Sequence, residues 1–210
     1  MKPFLPRILN WLLALLICAA LATFAFAKID LPVARFVFPH FRRLNDVADG
    51  LGSAVLLTLE SAIVLLVVAI RMWRGHVSPL GKALVVACLT SMCAYAVNGS
   101  VLKIFFGVPN PWDVLQGAQH AFHFWNGTAD SSFPSGHMVL AGAFAGTFMR
   151  LYRASVLPIS ILLLVAAVLL ILGDWHFVSD VIAGAFVGIS IGILAGEAWL
   201  AHEKLNSTPS

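Results

Sequence analysis

Charge is scarce in this sequence: Asp, Glu, Lys and Arg make up 11% of the 210 residues, while 60% are hydrophobic. Soluble domains carry about 25% charged and 45–50% apolar residues, so a soluble fold is excluded. The ten acidic and thirteen basic residues fall mostly between apolar runs. The net charge of +3 therefore reports membrane topology and implies no nucleic-acid partner. Cysteine is also sparse. Cys18, Cys88 and Cys93 all lie inside apolar runs, and the last two point in different directions on one helix. Neither a disulfide framework nor a metal site is indicated. No cluster of carboxylates is present to hold a cation. A transporter or channel would want ionisable residues at mid-bilayer or broken helices in paired halves, and apart from Glu60 neither is seen.

The chain is instead rich in long apolar runs. The first, Leu9 to Ala27, comes after Lys2 and Arg7 and is long enough for a retained membrane helix rather than a signal peptide. Residues 28–50 mix Arg35, Arg42 and Arg43 with Phe36, Phe38 and Phe41, which suits an outer interfacial segment lying on the membrane. Further spans are expected over 51–70, 83–105, 138–152, 156–172 and 178–200. The sequence thus reads as a single all-α membrane domain, a bundle of six transmembrane helices. Gly184, Gly188, Gly192 and Gly196 give the last span one smooth face for close helix packing. Eight Lys and Arg residues fall on the face that holds both termini and five on the other. The richer face is expected to be cytoplasmic, as in a bacterial inner membrane, leaving the long 107–135 connection on the periplasmic or exterior side.

That connection ends in Phe133-Pro134-Ser135-Gly136-His137, a turn at the mouth of an apolar run. A small hydroxyl residue and a glycine expose backbone N–H groups, and a helix starting near His137 points its positive end there, so the turn suits an anion. The topology brings Lys103 and the pair His176 and Asp180 to the same outer level. Four residues apart on a helix, that pair shares a face, and the carboxylate can orient the imidazole.

The Pro134-Ser135-Gly136-His137 turn, with His176-x3-Asp180 about forty residues later, resembles the type 2 phosphatidic acid phosphatase superfamily. Lys103 and Pro111 match that family's first motif, with Asn110 where the family has Arg. In its third motif Leu169 and Leu170 occupy the Ser-Arg positions. The resemblance covers about 103–184. It implies a lipid phosphatase without metal or other cofactor, acting on a lipid-linked phosphate or pyrophosphate, with membrane lipids as its surroundings. In these roles His176 would be the nucleophile forming a phosphohistidine, Asp180 its support and His137 the proton donor. Lys103, Ser135, Gly136 and Asn110 would line the phosphate.

With both family arginines absent, three readings compete. Other cations substitute, with Arg42, Arg43, His120 and His123 as the candidates. Alternatively the substrate is a less charged phosphodiester and the protein a phospho-headgroup transferase, or the chain is a non-catalytic lipid- or partner-binding homologue. More ordinary roles stand beside these. Arg42 and Arg43 suit headgroup anchors. His120 and His123 lack a third metal ligand and suit the interface, and Trp112, Trp125 and Trp175 suit an aromatic belt. Asp113, Asp130 and Asp174 suit solvated loop charges, and Asn126-Gly127-Thr128 has the glycosylation pattern. Glu60 needs a partner or a water-filled cavity.

Overall fold

The computed structural model describes residues 4–48 and 52–207; the side chains of 4–7, 42–48 and 207 lie outside the described residues. Nine α-helices succeed one another among the described residues: α1 (Phe4–Lys28), α2 (Asp30–Ala48), α3 (Ser53–Arg74), α4 (Pro79–Val97), α5 (Lys103–Phe106), α6 (Pro111–Leu115), α7 (Gly136–Leu151), α8 (Val156–Leu172) and α9 (Val178–Ser207). The protein is an all-α, multi-pass membrane protein. Among the described residues five stretches are long and apolar enough to cross a bilayer: Ile8–Lys28, Ser53–Arg74, Pro79–Leu115, Arg153–Leu172 and Val178–Asn206. The sixth expected span, 138–152, corresponds to α7, which has only 16 residues. At 1.5 Å per residue it is about 24 Å long, short of the roughly 30 Å hydrocarbon core.

Helix α7 is shielded where the other spans are not. It packs chiefly against α9 and α4 and carries the buried residues Met138, Val139, Leu140, Ala143 and Ala145. By contrast α8 turns Leu157, Leu162, Leu164 and Leu169 outward, and α1 does the same with Leu9, Leu13 and Leu16. A stripe that is apolar all round suits a lipid-facing helix, whereas the central pair must fit each other. Glycine makes that fit. A methyl carbon built on Gly188 would lie 2.5 Å from the Val139 carbonyl oxygen, and one on Gly192 would lie 2.3 Å from that of Ala143. The expected smooth face of α9 is therefore the seam against α7, which holds their N-terminal ends in one register.

The third span is longer than expected because it passes through a wide turn rather than stopping. A π-helical segment, Asn98–Leu102, links α4 to α5. Asn98 is buried there, and its Nδ2 donates to the Pro134 carbonyl oxygen at 3.2 Å. Such bulges insert an extra residue into the helical ladder and re-aim the turn beyond it. Here that turn opens with Lys103, the first residue of α5.

Residues 28–50 are helical up to Ala48. Helix α2 is kinked, with Pro39 inside it and Phe41 out of helical geometry at φ −121° and ψ 15°. Its first residue, Asp30, is 1% exposed and points into the bundle rather than along the membrane surface.

Candidate active site

Two helix starts meet at the N-terminal end of the α7–α9 seam. Ser135 caps α7, its Oγ accepting from the Met138 amide at 3.3 Å, while its own amide donates to the Asp180 carbonyl oxygen at 3.0 Å. Helix α9 begins with an internal cap of its own: the Phe177 amide donates to Asp180 Oδ2 at 2.8 Å. The two caps face one another, so the histidines carried by each are brought into contact. His137 Nδ1 lies 3.3 Å from His176 Nε2.

From there a polar chain runs in both directions. His176 Nδ1 is 3.3 Å from Ser132 Oγ and 3.6 Å from Asp180 Oδ2. The longer approach exceeds a normal hydrogen bond, and Ser132 closes it, donating its hydroxyl proton in a short hydrogen bond to Asp180 Oδ2. On the other side His137 Nε2 lies 3.2 Å from Ser53 Oγ, the first residue of α3. Counting protons sets the polarity of the chain. With Ser132 donating to Asp180, its oxygen is free to accept Nδ1–H of His176, which leaves a lone pair on Nε2. His137 must then donate from Nδ1 and accept the Ser53 proton at Nε2. A lone pair on one imidazole faces an N–H on the other, the arrangement that divides a nucleophile from an acid.

The remaining sequence-derived residues fall at different distances from this pair. Lys103 is half-buried and within electrostatic range of Asp180, Asp130 and His137, with Nζ donating to the Ala129 carbonyl oxygen at 3.0 Å. Gly136 and His137 occupy the first turn of α7, where amides have no carbonyl one turn back and stay available to an anion. Ser135, by contrast, is fully buried and its hydroxyl is committed to the cap. Asn110 caps α6 by accepting from the Asp113 amide at 2.9 Å. Leu170 belongs to an apolar cluster with Met138 and Val181, and Leu169 faces outward, so the positions of the family's Ser-Arg pair are filled with hydrocarbon. The side chains of Arg42 and Arg43 lie outside the described residues.

His120 and His123 serve different places. His120 Nε2 approaches Asp30 Oδ2 at 3.5 Å and its ring stacks on Phe26 at 4.1 Å. His123 instead lines a small pocket with Asp113 and Asp130. Among the described residues no group of three metal-capable side chains is assembled. Trp112 and Trp125 are exposed, in keeping with an aromatic belt, but Trp175 stacks on His137 with ring centroids 5.3 Å apart.

Sequence reasoning missed three groups. Ser132 and Ser53 complete the chain; the signal for Ser132 was its place one residue ahead of the Phe133-Pro134 turn, and Ser53 had none. Asp30 is the third. Its Oδ1 accepts from the Ser179 amide at 3.0 Å and its Oδ2 from the Ser179 hydroxyl, across 149 residues of sequence. An acidic cap from another helix thus stabilises the start of α9, beside Asp180.

Asp174 sits two residues before His176 in the left-handed region at φ 58°, is 7% exposed, and leaves Oδ2 without a partner. Burial pushes its carboxyl up to about 6 from an ordinary 3.8. It is not the solvated loop charge expected from sequence.

The family model of the PAP2 superfamily matches residues 81–202, more than half of the chain and all of the histidine pair. The chain belongs to the PAP2 superfamily. Among solved structures it resembles one described as the first transmembrane PAP2-type phosphatidylglycerolphosphate phosphatase from Bacillus subtilis. The likeness has a TM-score of 0.50 and 18% identity, covering 92% of this chain and 96% of that one. At that identity it speaks for the fold. No curated protein sequence matches the chain.

Proposed function

We propose that this protein is a membrane lipid phosphatase that works through a phosphohistidine on His176. The observation carrying this reading is the contact of His176 Nε2 with His137 Nδ1, with Ser132 and Asp180 behind the first ring. In the proposed step a phosphate enters between the two rings. The Nε2 lone pair attacks phosphorus and the bond to the leaving oxygen breaks. His137, which takes up a second proton at Nε2 when the phosphate dianion binds, with Ser53 Oγ then accepting it, gives the leaving oxygen its Nδ1 proton and is left neutral. Asp180, through Ser132, balances the charge gained by His176. Water then attacks phosphorus as neutral His137 takes its proton; the N–P bond breaks, its electron pair returns to His176 Nε2, and phosphate leaves with both rings back in the forms that began the reaction.

Lys103 and the first-turn amides of α7 hold the phosphate oxygens in this reading. That is a weakly cationic cradle, and one observation favours a second substrate class. Asn110 is spent on a cap and Leu169 and Leu170 are hydrocarbon, so a phosphodiester, with one charge fewer, is matched better than a monoester dianion. Headgroup transfer is the corresponding reaction. The Lys/Arg asymmetry supports a site on the face away from the cytoplasm of a bacterial inner membrane.

The test is turnover by purified protein in lipid vesicles across monoester, pyrophosphate and diester lipids, beside His176→Ala. Phosphate release or transfer that disappears in the variant is expected. No turnover on any class would leave the non-catalytic homologue as the better reading.

A further inference from the structure

Beneath the histidine pair lies a cavity of about 340 Å³ between α3, α7 and α8. Its walls begin at Leu56 on α3 and Leu140 on α7, three residues below Ser53 and His137, which touch each other. Three helical residues are about 4.5 Å, so the cavity opens one turn under the site. Every side chain lining it is apolar except Glu60.

Glu60 is 8% exposed and only half satisfied. Ser91 Oγ lies 2.7 Å from its Oε1 and 2.9 Å from the Leu140 carbonyl oxygen. One hydroxyl proton serves only one of these two acceptors. Both contacts are made together when the carboxyl carries the proton on Oε1 and gives it to Ser91, which passes its own to Leu140. Oε2 is then a carbonyl oxygen, buried and without a partner. A role in pinning α3 to α4 and α7 accounts for Oε1 and leaves Oε2 unexplained, and an orphan acceptor at membrane depth is costly.

We propose that this cavity is a subsite for a lipid tail carrying a hydroxyl group, whose proton Glu60 Oε2 accepts. The inference rests on the lipid-substrate reading above. A plain hydrocarbon tail would fill the space but leave the oxygen unpaired. Water would need at least two polar partners, and the wall supplies one. A bare cation would need several oxygen ligands for the same reason. Glu60 lies seven residues below Ser53, about 10 Å along α3. The hydroxyl therefore sits several bonds down the chain, below the headgroup.

The test uses full-length His176→Ala protein in phosphatidylcholine nanodiscs, so that no probe is consumed. Two probes are compared by equilibrium binding: a monoacylglycerol phosphate with a 3-hydroxytetradecanoyl chain and its plain tetradecanoyl counterpart. The hydroxylated probe is expected to bind about tenfold more tightly, the effect of roughly one added hydrogen bond. Glu60→Leu should erase the preference without weakening the plain probe, while Glu60→Gln, which keeps a carbonyl oxygen, should retain most of it. Equal affinity of the two probes, binding of neither, or a preference that survives Glu60→Leu would each overturn the proposal. The probe comparison needs no change at Glu60, so a poorly folded Leu variant does not blunt it. A preference found alongside absent turnover in the wild-type protein would instead count against the phosphatase reading alone.

Discussion

Two buried carboxyl groups, Asp180 and Glu60, look alike by one measure and opposite by another. Each leaves one oxygen without a partner. Asp180 Oδ2, however, gathers the Phe177 amide and the Ser132 hydroxyl and faces His176, whereas among the described residues Glu60 hydrogen-bonds only with Ser91. The first is held at the N-terminal end of the seam, where two helix starts supply donors. The second sits among leucines. A carboxylate surrounded by donors holds its charge and can orient a cationic ring; one set in hydrocarbon can only pair with what reaches it. In the proposed reading, position along the helix separates the carboxyl that serves chemistry from the one that serves recognition.

The sharpest way to break this contrast is to neutralise each carboxyl in turn. Asp180→Asn removes the support of the charged ring and should lower kcat by about 10³- to 10⁴-fold, by analogy with the loss of an orienting aspartate in other histidine sites. Glu60→Gln should leave kcat within a few-fold. Equal losses in steady-state assays would erase the distinction.

Next in size is Ser132→Ala. A hydrogen bond to a charged group contributes about 1.5–3 kcal/mol, so kcat should fall roughly 10- to 100-fold with little change in KM. A normal rate would mean that Asp180 reaches His176 without the hydroxyl. Asp30 comes third. Asp30→Ala should cost about 1 kcal/mol as a lost cap, read as a lower unfolding midpoint, and should also slow turnover because α9 starts beside Asp180. Asp30→Asn keeps an acceptor for the Ser179 amide and should recover most of both; failure to recover would point to the charge instead.

The smallest effect is the pH response of Asp174. Its folded value, about 6, lies above the ordinary 3.8, so the folded protein takes up a proton between these values. Stability from this group is full below about pH 4 and is lost as pH rises through 6. Asp174→Asn should therefore stabilise the protein at pH 7 and make no difference near pH 4. Thermal unfolding at both pH values checks the sign.

How much of this was legible in the sequence depended on distance along the chain. His137, His176 and Asp180 stood out because a turn and an i, i+4 spacing are local signals, and the glycine face of α9 is a simple period. The link from Asp30 to Ser179 spans 149 residues and obeys no pattern, so it appeared only in three dimensions. The π-turn ahead of Lys103 was hidden for another reason: Asn98, Gly99 and Ser100 interrupt the apolar run there, but such a break reads the same whether or not one residue is inserted in the helical ladder. Asp174 was misjudged because a loop position says nothing about burial, and here the residue is 7% exposed.

The most direct test of the central claim is to find the phosphoryl group on the protein. Protein mixed briefly with a phospholipid substrate, quenched in alkali to preserve a phosphohistidine and digested for mass spectrometry, should show phosphate on His176. The adduct should be absent from His176→Ala and longer-lived in His137→Ala, where the group that activates water is gone. Turnover by the wild-type protein with no phosphate ever found on His176, or with the adduct on another residue, would contradict the account.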